Sequence, residues 1–168
     1  MAKISVIGIC GNSIFMNVDH FHEKGETLVA NSVYEEIGGK GINQAIACAK
    51  MGAEVSFLCA IGDDADGEKC KQTAKAFGIN GFFSVKNGLK TTFAVILTDK
   101  SGENQVTGYR NAELSAFDVI SFEEEIAVFN NAELNFSSNH YYLFKDYFFK
   151  KSPKKVIKCQ SCPLEVRT

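Results

Sequence analysis

One short stretch, residues 37–45, places a cluster of glycines directly in front of a predicted helix. Gly38, Gly39 and Gly41 lie within four residues. Helix N-termini carry backbone N–H groups without intrahelical partners and a positive dipole, so they suit polyhydroxy or anionic ligands. Lys40 adds a charged donor, and Asn43 adds an amide that both donates and accepts. The helix itself is indicated by an apolar i, i+3, i+4, i+7 pattern with a glycine after it, at Ile42, Ala45, Ile46, Ala49 and Gly52.

Two common phosphate-binding loops do not fit this stretch. A Walker loop needs glycine four residues before its Gly-Lys pair and Ser or Thr after it, but Tyr34 and Gly41 occupy those places. A dinucleotide fingerprint that starts at Gly38 or Gly39 lacks its third glycine and an acidic residue placed to hold a ribose.

The complete run Gly38-Gly39-Lys40-Gly41-Ile42-Asn43-Gln44-Ala45 resembles the N-terminal signature of the PfkB-type, ribokinase-like carbohydrate kinases, Gly-Gly-Lys-Gly-x-Asn-x-Ala. Three further segments resemble that family in its order and at about its spacing: residues 25–27, residues 61–64 with Gly67, and residues 102–104. The resemblance extends from about Lys3 to about Glu133. It implies an α/β fold, a parallel sheet flanked by helices with a small β-lid, here truncated.

The residue patterns agree with such a fold. Residues 4–10 and 54–61 are apolar, β-rich runs typical of buried parallel strands, and residues 81–85 predict a shorter strand. A helix is predicted from about Asp64 to Phe77. Two hairpins are predicted around the turns at 23–26 and 99–102, with strands at 15–18, 28–34, 91–98 and 104–109, and these resemble the lid.

The segment Gly11-Asn12-Ser13 follows the first predicted strand. Ligands of open α/β sheets bind outside the carboxyl ends of strands, so these three residues are candidates for binding. The ribokinase-like family carries an Asn-x-Asp here that contacts the sugar, so the resemblance assigns these residues to one side of the sugar. Gly39, Lys40, Gly41 and Asn43 would hold the other side. The Gly-Asn-Ser sequence lacks the acidic acceptor for sugar hydroxyls.

No metal site is predicted. Aligning Gly67 with the invariant glycine of a calcium loop puts Gly62 and Thr73 where carboxylate ligands belong, so the acidic run at 63–66 is interpreted as a helix start. On that basis Asp64→Ala is expected to leave sugar affinity nearly unchanged. His20 and His22 lack a third ligand at motif spacing and are expected to face solvent.

Composition limits the class of protein. The 168 residues are 45% hydrophobic and 23% charged, as in a globular chain, and the net charge of −2 does not favour nucleic acid. No run is long enough to span a membrane, so a cytoplasmic location is expected. Six scattered cysteines fit reduced thiols better than a disulfide framework.

A change of composition near Asn135 divides the chain into 1–135, the sugar-binding half with its lid, and 136–168, a divergent basic and aromatic tail expected to be poorly ordered. Residues 1–135 carry 11 Lys/Arg and 18 Asp/Glu, whereas 136–168 carry 7 and 2. The family's second half and its Gly-Ala-Gly-Asp motif, which holds the catalytic base, are absent from the sequence. The tail therefore suggests a truncated or frame-shifted reading of a longer gene.

The function that follows from the resemblance is phosphoryl transfer from ATP, with Mg²⁺, to a sugar hydroxyl in the full-length enzyme. This chain alone is expected to be inactive, to have no catalytic residue, and not to bind ATP or Mg²⁺ strongly. The alternative is a non-catalytic sugar-binding or subunit-interaction protein, and a homodimer through the β-lid is compatible with both.

Overall fold

The computed structural model describes residues 1–115 and the backbone of three later strands. In chain order the elements are β1 (Lys3–Ile7), β2 (Gly11–Asn17), β3 (Ser32–Gly38), α1 (Lys40–Lys50), β4 (Glu54–Gly62), α2 (Ala65–Ala76), β5 (Asn80–Lys86), β6 (Phe93–Thr98), β7 (Asn104–Tyr109), a 3-10 helix (Ala112–Ser115), β8 (Leu134–Ser138), β9 (Val156–Cys159) and β10 (Leu164–Val166).

The strands form two sheets. The larger has the order β10-β9-β8-β1-β4-β5, and its pairs are parallel except for β9 with β10. The predicted α/β class with a mostly parallel sheet is therefore confirmed.

The core lies between the large sheet and the two helices. Alternate residues of β4, Val55, Phe57, Cys59 and Ile61, are at most 2% exposed, as expected for a central strand with a helix-covered face. The helices add the small or apolar side chains Ile42, Ala45, Cys70 and Ala74 to the same cluster. Cys10, Cys59 and Cys70 are buried free thiols, and burial raises the pKa of Cys10 and Cys59, so these thiols pack as apolar groups.

Both helices begin and end near where the sequence predicts. Gly52 and Gly78 follow α1 and α2 with φ of 84° and 68°, a backbone conformation that glycine adopts without strain. Asp64 is the N-cap of α2 and accepts a 2.9 Å hydrogen bond from the Gly67 N–H. Neither helix, at 11 and 12 residues, has the length or apolar character to cross a bilayer, and the same holds for every helix among the described residues.

The smaller sheet has the order β3-β2-β6-β7 and contains both predicted hairpins. The first hairpin differs in its bounds, because β2 begins at Gly11, four residues earlier than predicted. Gly11, Asn12 and Ser13 are thus the first residues of a strand. The hairpins are joined because β2 pairs with β6 in parallel, which local turn signals do not reveal. We call this four-stranded sheet the lid.

The predicted boundary near Asn135 falls inside β8, which pairs with β1. The backbone of β9 and β10 continues the same sheet beyond that point. The aromatic run at 141–149 and most of the lysine-rich segment that follows it lie outside the described residues. The division of the chain at this position stays a prediction.

Candidate functional site

A pocket of about 360 Å³ lies between the lid and the start of α1. The loop after β1 and the first residues of β2 form one side, and the β6–β7 hairpin forms another. Its lining residues are Ile9, Gly11, Asn12, Ser13, Gly38, Gly39, Lys40, Thr92, Phe93, Ala94, Val106, Gly108, Tyr109 and Arg110.

Five of the seven residues that the sequence indicates for binding line this pocket together: Gly11, Asn12, Ser13, Gly39 and Lys40. Segments 25 residues apart in sequence therefore meet, as their assignment to opposite sides of one ligand requires.

The other two candidates, Gly41 and Asn43, lie outside the lining. Gly41 is buried, and a Cβ added to it would lie 2.5 Å from the backbone of Gly8, so its lack of a side chain lets α1 pack on the end of β1. The Asn43 side chain is exposed. The backbone N–H of Asn43 donates to the Gly39 carbonyl at the start of the helix.

Close backbone approach explains two of the lining glycines. A Cβ on Gly11 would lie 2.0 Å from the Thr92 carbonyl oxygen. Gly39 has φ of 115°, and its Cβ would lie 2.6 Å from the Ile9 carbonyl oxygen. That oxygen accepts a 3.2 Å hydrogen bond from the Ile42 N–H. Glycine at both places thus keeps the lid, the loop after β1 and α1 in contact.

Asn12 and Ser13 present their side chains to opposite faces of β2, because side chains alternate along a strand. The Asn12 amide donates a 3.0 Å hydrogen bond to Glu35 Oε2, on the lid face that fronts α2. The hydrogen bond from Asn12, together with nearby Lys69, lowers the pKa of Glu35. Ser13 lies on the other face, with its Oγ 2.8 Å from where a Cβ on Gly38 would be. Ser13 is therefore the side chain of this pair that is free for the pocket.

The profile of the pfkB family carbohydrate kinases matches residues 1–161. The chain belongs to this family. The match continues past Glu133, where the resemblance of individual motifs ends.

Individual relatives agree with the pfkB assignment. The chain is 36% identical over 117 residues to the bifunctional ribokinase/ribose-5-phosphate isomerase A of Fructilactobacillus sanfranciscensis, covering 68% of this chain and 22% of that protein. It is 33% identical over 127 residues to the ribokinase of Haemophilus influenzae, and this match covers 74% of this chain and 42% of that protein. The chain thus spans less than half of the length of these relatives.

Solved structures place the chain in the ribokinase fold. The ribokinase of Giardia lamblia superposes with a TM-score of 0.81 at 26% identity, and the superposition covers 94% of this chain and 50% of that one. The fold predicted from the pfkB signature is therefore confirmed.

The pocket of this pfkB family chain is positively charged. Lys40 and Arg110 are its charged lining residues, and neither makes an ion pair with another described residue. Glu36 carries a carboxylate and is the register partner of Ser13 on β3, but it does not line the pocket.

Sequence reasoning missed the contribution of the second hairpin to the site. Thr92, Phe93, Tyr109 and Arg110 line the pocket at one end of β6 and β7. Phe93 and Tyr109 are register partners whose rings stack with centroids 5.3 Å apart. The only signal in the sequence is a pair of aromatic residues at the open ends of a predicted hairpin, which becomes informative once β6 is known to pair with β2.

The described part of this pfkB family chain contains no group of three or more His, Cys, Asp or Glu side chains arranged to hold a metal ion. His20, which the sequence offered as a possible metal ligand, is exposed. Its Nε2 lies 2.9 Å from Glu26 Oε1, a contact within the 18–31 connection of the lid.

Proposed function

We propose that this chain is the sugar-binding half of a carbohydrate kinase that, at full length, transfers the γ-phosphoryl group of ATP to a sugar hydroxyl. The observation that carries the proposal is the pocket itself, where Gly11 and Ser13 meet Gly39 and Lys40 under the lid. The pfkB family membership supplies the reaction class. A cytoplasmic location, where ATP is supplied, is part of the proposal.

Each lining group has a role suited to a sugar. The Ser13 hydroxyl both donates and accepts, and Lys40 and the first N–H groups of α1 are donors to oxygen atoms of the ligand. Ala94 and Val106 lie on the same lid face as Ser13 by strand register and offer apolar surface to the C–H face of a sugar. Closure of the lid would exclude water from the reacting hydroxyl.

In this proposal the chain positions the sugar but does not supply the other groups that the reaction needs. Phosphoryl transfer also needs charge neutralisation by a metal and a base or orienting group for the attacking hydroxyl. The Gly-Ala-Gly-Asp motif is absent from the sequence, and the described residues do not form a metal site. We therefore propose that the isolated chain binds sugar and does not turn over ATP.

Turnover and binding are tested separately. ADP release is followed with ATP, Mg²⁺ and a panel of ribose, fructose and a nucleoside, while calorimetric titration measures sugar binding. We expect binding without turnover, and weaker binding in Ser13→Ala and Lys40→Ala. Lys24→Ala, an exposed lysine in the 18–31 connection, is the control and should bind as the wild type does. Turnover that is lost in Lys40→Ala would show that the chain is catalytic, and absence of binding to the whole panel would contradict the proposal.

The alternative function, a subunit-interaction protein, is favoured by exposed apolar side chains on the lid. Tyr34 and Val106, which strand register places on the same face of the lid, are 52% and 59% exposed. We propose that these side chains mediate a homodimer. Sedimentation of the wild type, of Tyr34→Glu and of Val106→Lys tests this, with Val29→Lys in the 18–31 connection as control. The two lid variants should be monomeric, and a wild type that is itself monomeric at high concentration would contradict the dimer.

A further inference from the structure

The carboxylate of Asp64 is shared between the start of α2 and the segment that leads into the lid. Its Oδ1 accepts hydrogen bonds from the Gly67 N–H at 2.9 Å and from the Thr91 hydroxyl at 2.5 Å. Its Oδ2 accepts a 3.0 Å hydrogen bond from the Thr91 N–H. The sequence accounts for the first of these bonds, as an N-cap, and gives no signal for the bonds to Thr91.

Thr91 completes this network toward the sheet. Its side chain is fully buried, and its Oγ1 accepts a 3.0 Å hydrogen bond from the Gly62 N–H at the end of β4. The hydroxyl and the backbone N–H of the buried Thr91 are therefore both hydrogen-bonded to the β4–α2 junction. The fit is close, because a Cβ on Gly62 would lie 2.0 Å from the Leu89 carbonyl oxygen and 2.8 Å from the Thr91 nitrogen.

The residues directly after Thr91 belong to the pocket. Thr92 and Phe93 line it, and the Thr92 carbonyl accepts a 3.1 Å hydrogen bond from the Asn12 N–H. From Phe93 onward β6 pairs with β2, so the position of Thr91 sets where the β6–β7 hairpin leaves the body of the protein. Asp64 does not line the pocket and acts only through this connection.

From this geometry we propose that Asp64 and Thr91 are positioning residues for the pocket: their hydrogen bonds hold the start of β6 so that Phe93 and Ala94 stand in register with Asn12 and Ser13. The proposal rests on the proposed sugar-binding function. It replaces the expectation that Asp64 serves the helix alone and that its substitution leaves affinity nearly unchanged.

Substitutions can separate the two tasks of the carboxylate. Asp64→Asn keeps an oxygen able to cap α2 at the Gly67 N–H, but its amide nitrogen cannot accept from the Thr91 N–H. Thr91→Val keeps shape and removes the hydroxyl, whereas Thr91→Ser keeps the hydroxyl. Asp63→Asn is the matched control, because Asp63 Oδ1 accepts from the Gly88 N–H in the same connection without reaching Thr91.

The test is calorimetric titration of the whole chain with ribose, fructose and a nucleoside, well below the unfolding temperature of each variant. A purely structural role lowers the fraction of folded protein, and so the stoichiometry, but leaves the Kd of folded molecules unchanged. We expect the Kd of Asp64→Asn and Thr91→Val to rise by roughly tenfold, as small misplacements of binding groups do, with stoichiometry unchanged. Thr91→Ser and Asp63→Asn should bind as the wild type does. An unchanged Kd in Asp64→Asn and Thr91→Val would overturn the proposal.

Amide hydrogen exchange keeps this inference distinguishable from the proposed function. If the wild type binds none of the sugars, the proposed function fails, and the positioning role of Asp64 and Thr91 is then judged by hydrogen exchange alone. Faster exchange in β6 of the Asp64→Asn variant, with unchanged protection in β4, supports the positioning role. Equal protection of β6 in wild type and variant overturns it.

Discussion

The side-chain amide of Asn12 donates a 3.0 Å hydrogen bond to Glu35 Oε2, away from the side chain of its neighbour Ser13. Glu35 in turn lies 3.6 Å from Lys69 on α2, so this contact links the lid to the helix layer. Two adjacent polar residues that the sequence assigns to the same ligand thus have different surroundings. Ser13 is available to the pocket, and the Asn12 amide is used within the protein.

Substitution of these two neighbours should have opposite effects. Asn12→Ala removes a partly solvated hydrogen bond and should lower the free energy of unfolding by about 0.5–1.5 kcal/mol while leaving sugar affinity nearly unchanged. Ser13→Ala should leave stability nearly unchanged and weaken binding by about 1 kcal/mol, the usual net value of one hydrogen bond. Urea unfolding and calorimetric titration measure the two quantities. A larger loss of affinity in Asn12→Ala than in Ser13→Ala would contradict these assignments.

Gly41 should tolerate no side chain. Glycine to alanine inside a helix ordinarily stabilises by about 1 kcal/mol. Here the added Cβ would meet the Gly8 backbone at 2.5 Å, so we expect Gly41→Ala to destabilise by about 1–3 kcal/mol instead. Gly108→Ala is the control, because its Cβ would have no contact nearer than 3.8 Å. Thermal unfolding reports both variants, and a stabilised Gly41→Ala would show that the helix does not pack on β1 this closely.

Asp64 should make stability depend on pH in the acid range. Burial alone would raise the pKa of this carboxyl, but the hydrogen bonds from Thr91 and Gly67 outweigh it and leave the pKa lowered. A lowered folded pKa contributes stability above the unfolded pKa of about 3.9, and this contribution is lost as the pH falls through the folded pKa. The difference in unfolding free energy between wild type and Asp64→Asn should therefore shrink below about pH 4. A difference that is constant from neutral to acid pH would contradict this.

The positive lining should make binding of an anionic sugar sensitive to salt. With Lys40 and Arg110 in the pocket, ribose 5-phosphate should bind more tightly than ribose at low ionic strength. This advantage should decline as the Debye length falls from about 30 Å at 0.01 M salt to about 3 Å at 1 M. Arg110→Gln should reduce it and Lys24→Gln should not. Equal affinities for the two sugars at low salt would show that these cations do not face the ligand.

The change of composition near Asn135 predicts that residues from 136 onward pack poorly on the preceding domain. Limited trypsin digestion should then cut first near the lysines between Lys150 and Lys158, before the region 4–60. Mass spectrometry of the earliest fragments locates the cuts. A tail as resistant as region 4–60 would count against a frame-shift origin and in favour of one continuous domain.

The sequence by itself determined the family, the α/β class and the local elements. These depend on short-range chemistry: glycines before a helix at 38–41, the continuous apolar run of β4, the N-cap at Asp64, and the turns at Gly25 and Gly102, where φ is 82° and 85°. Each is decided by residues within a few positions of one another, so a single chain reveals it.

The tertiary structure alone decided which of these residues share a site. The parallel pairing of β2 with β6 joins segments about 80 residues apart, and such pairing leaves no local trace in the sequence. That pairing brings Thr92, Phe93 and Arg110 to the pocket, while side-chain alternation turns Asn12 toward Glu35. Close packing on Gly8 removes Gly41 from the pocket. The same long-range contacts give Asp64 a second partner in Thr91, because a carboxylate has more acceptor positions than one helix cap uses.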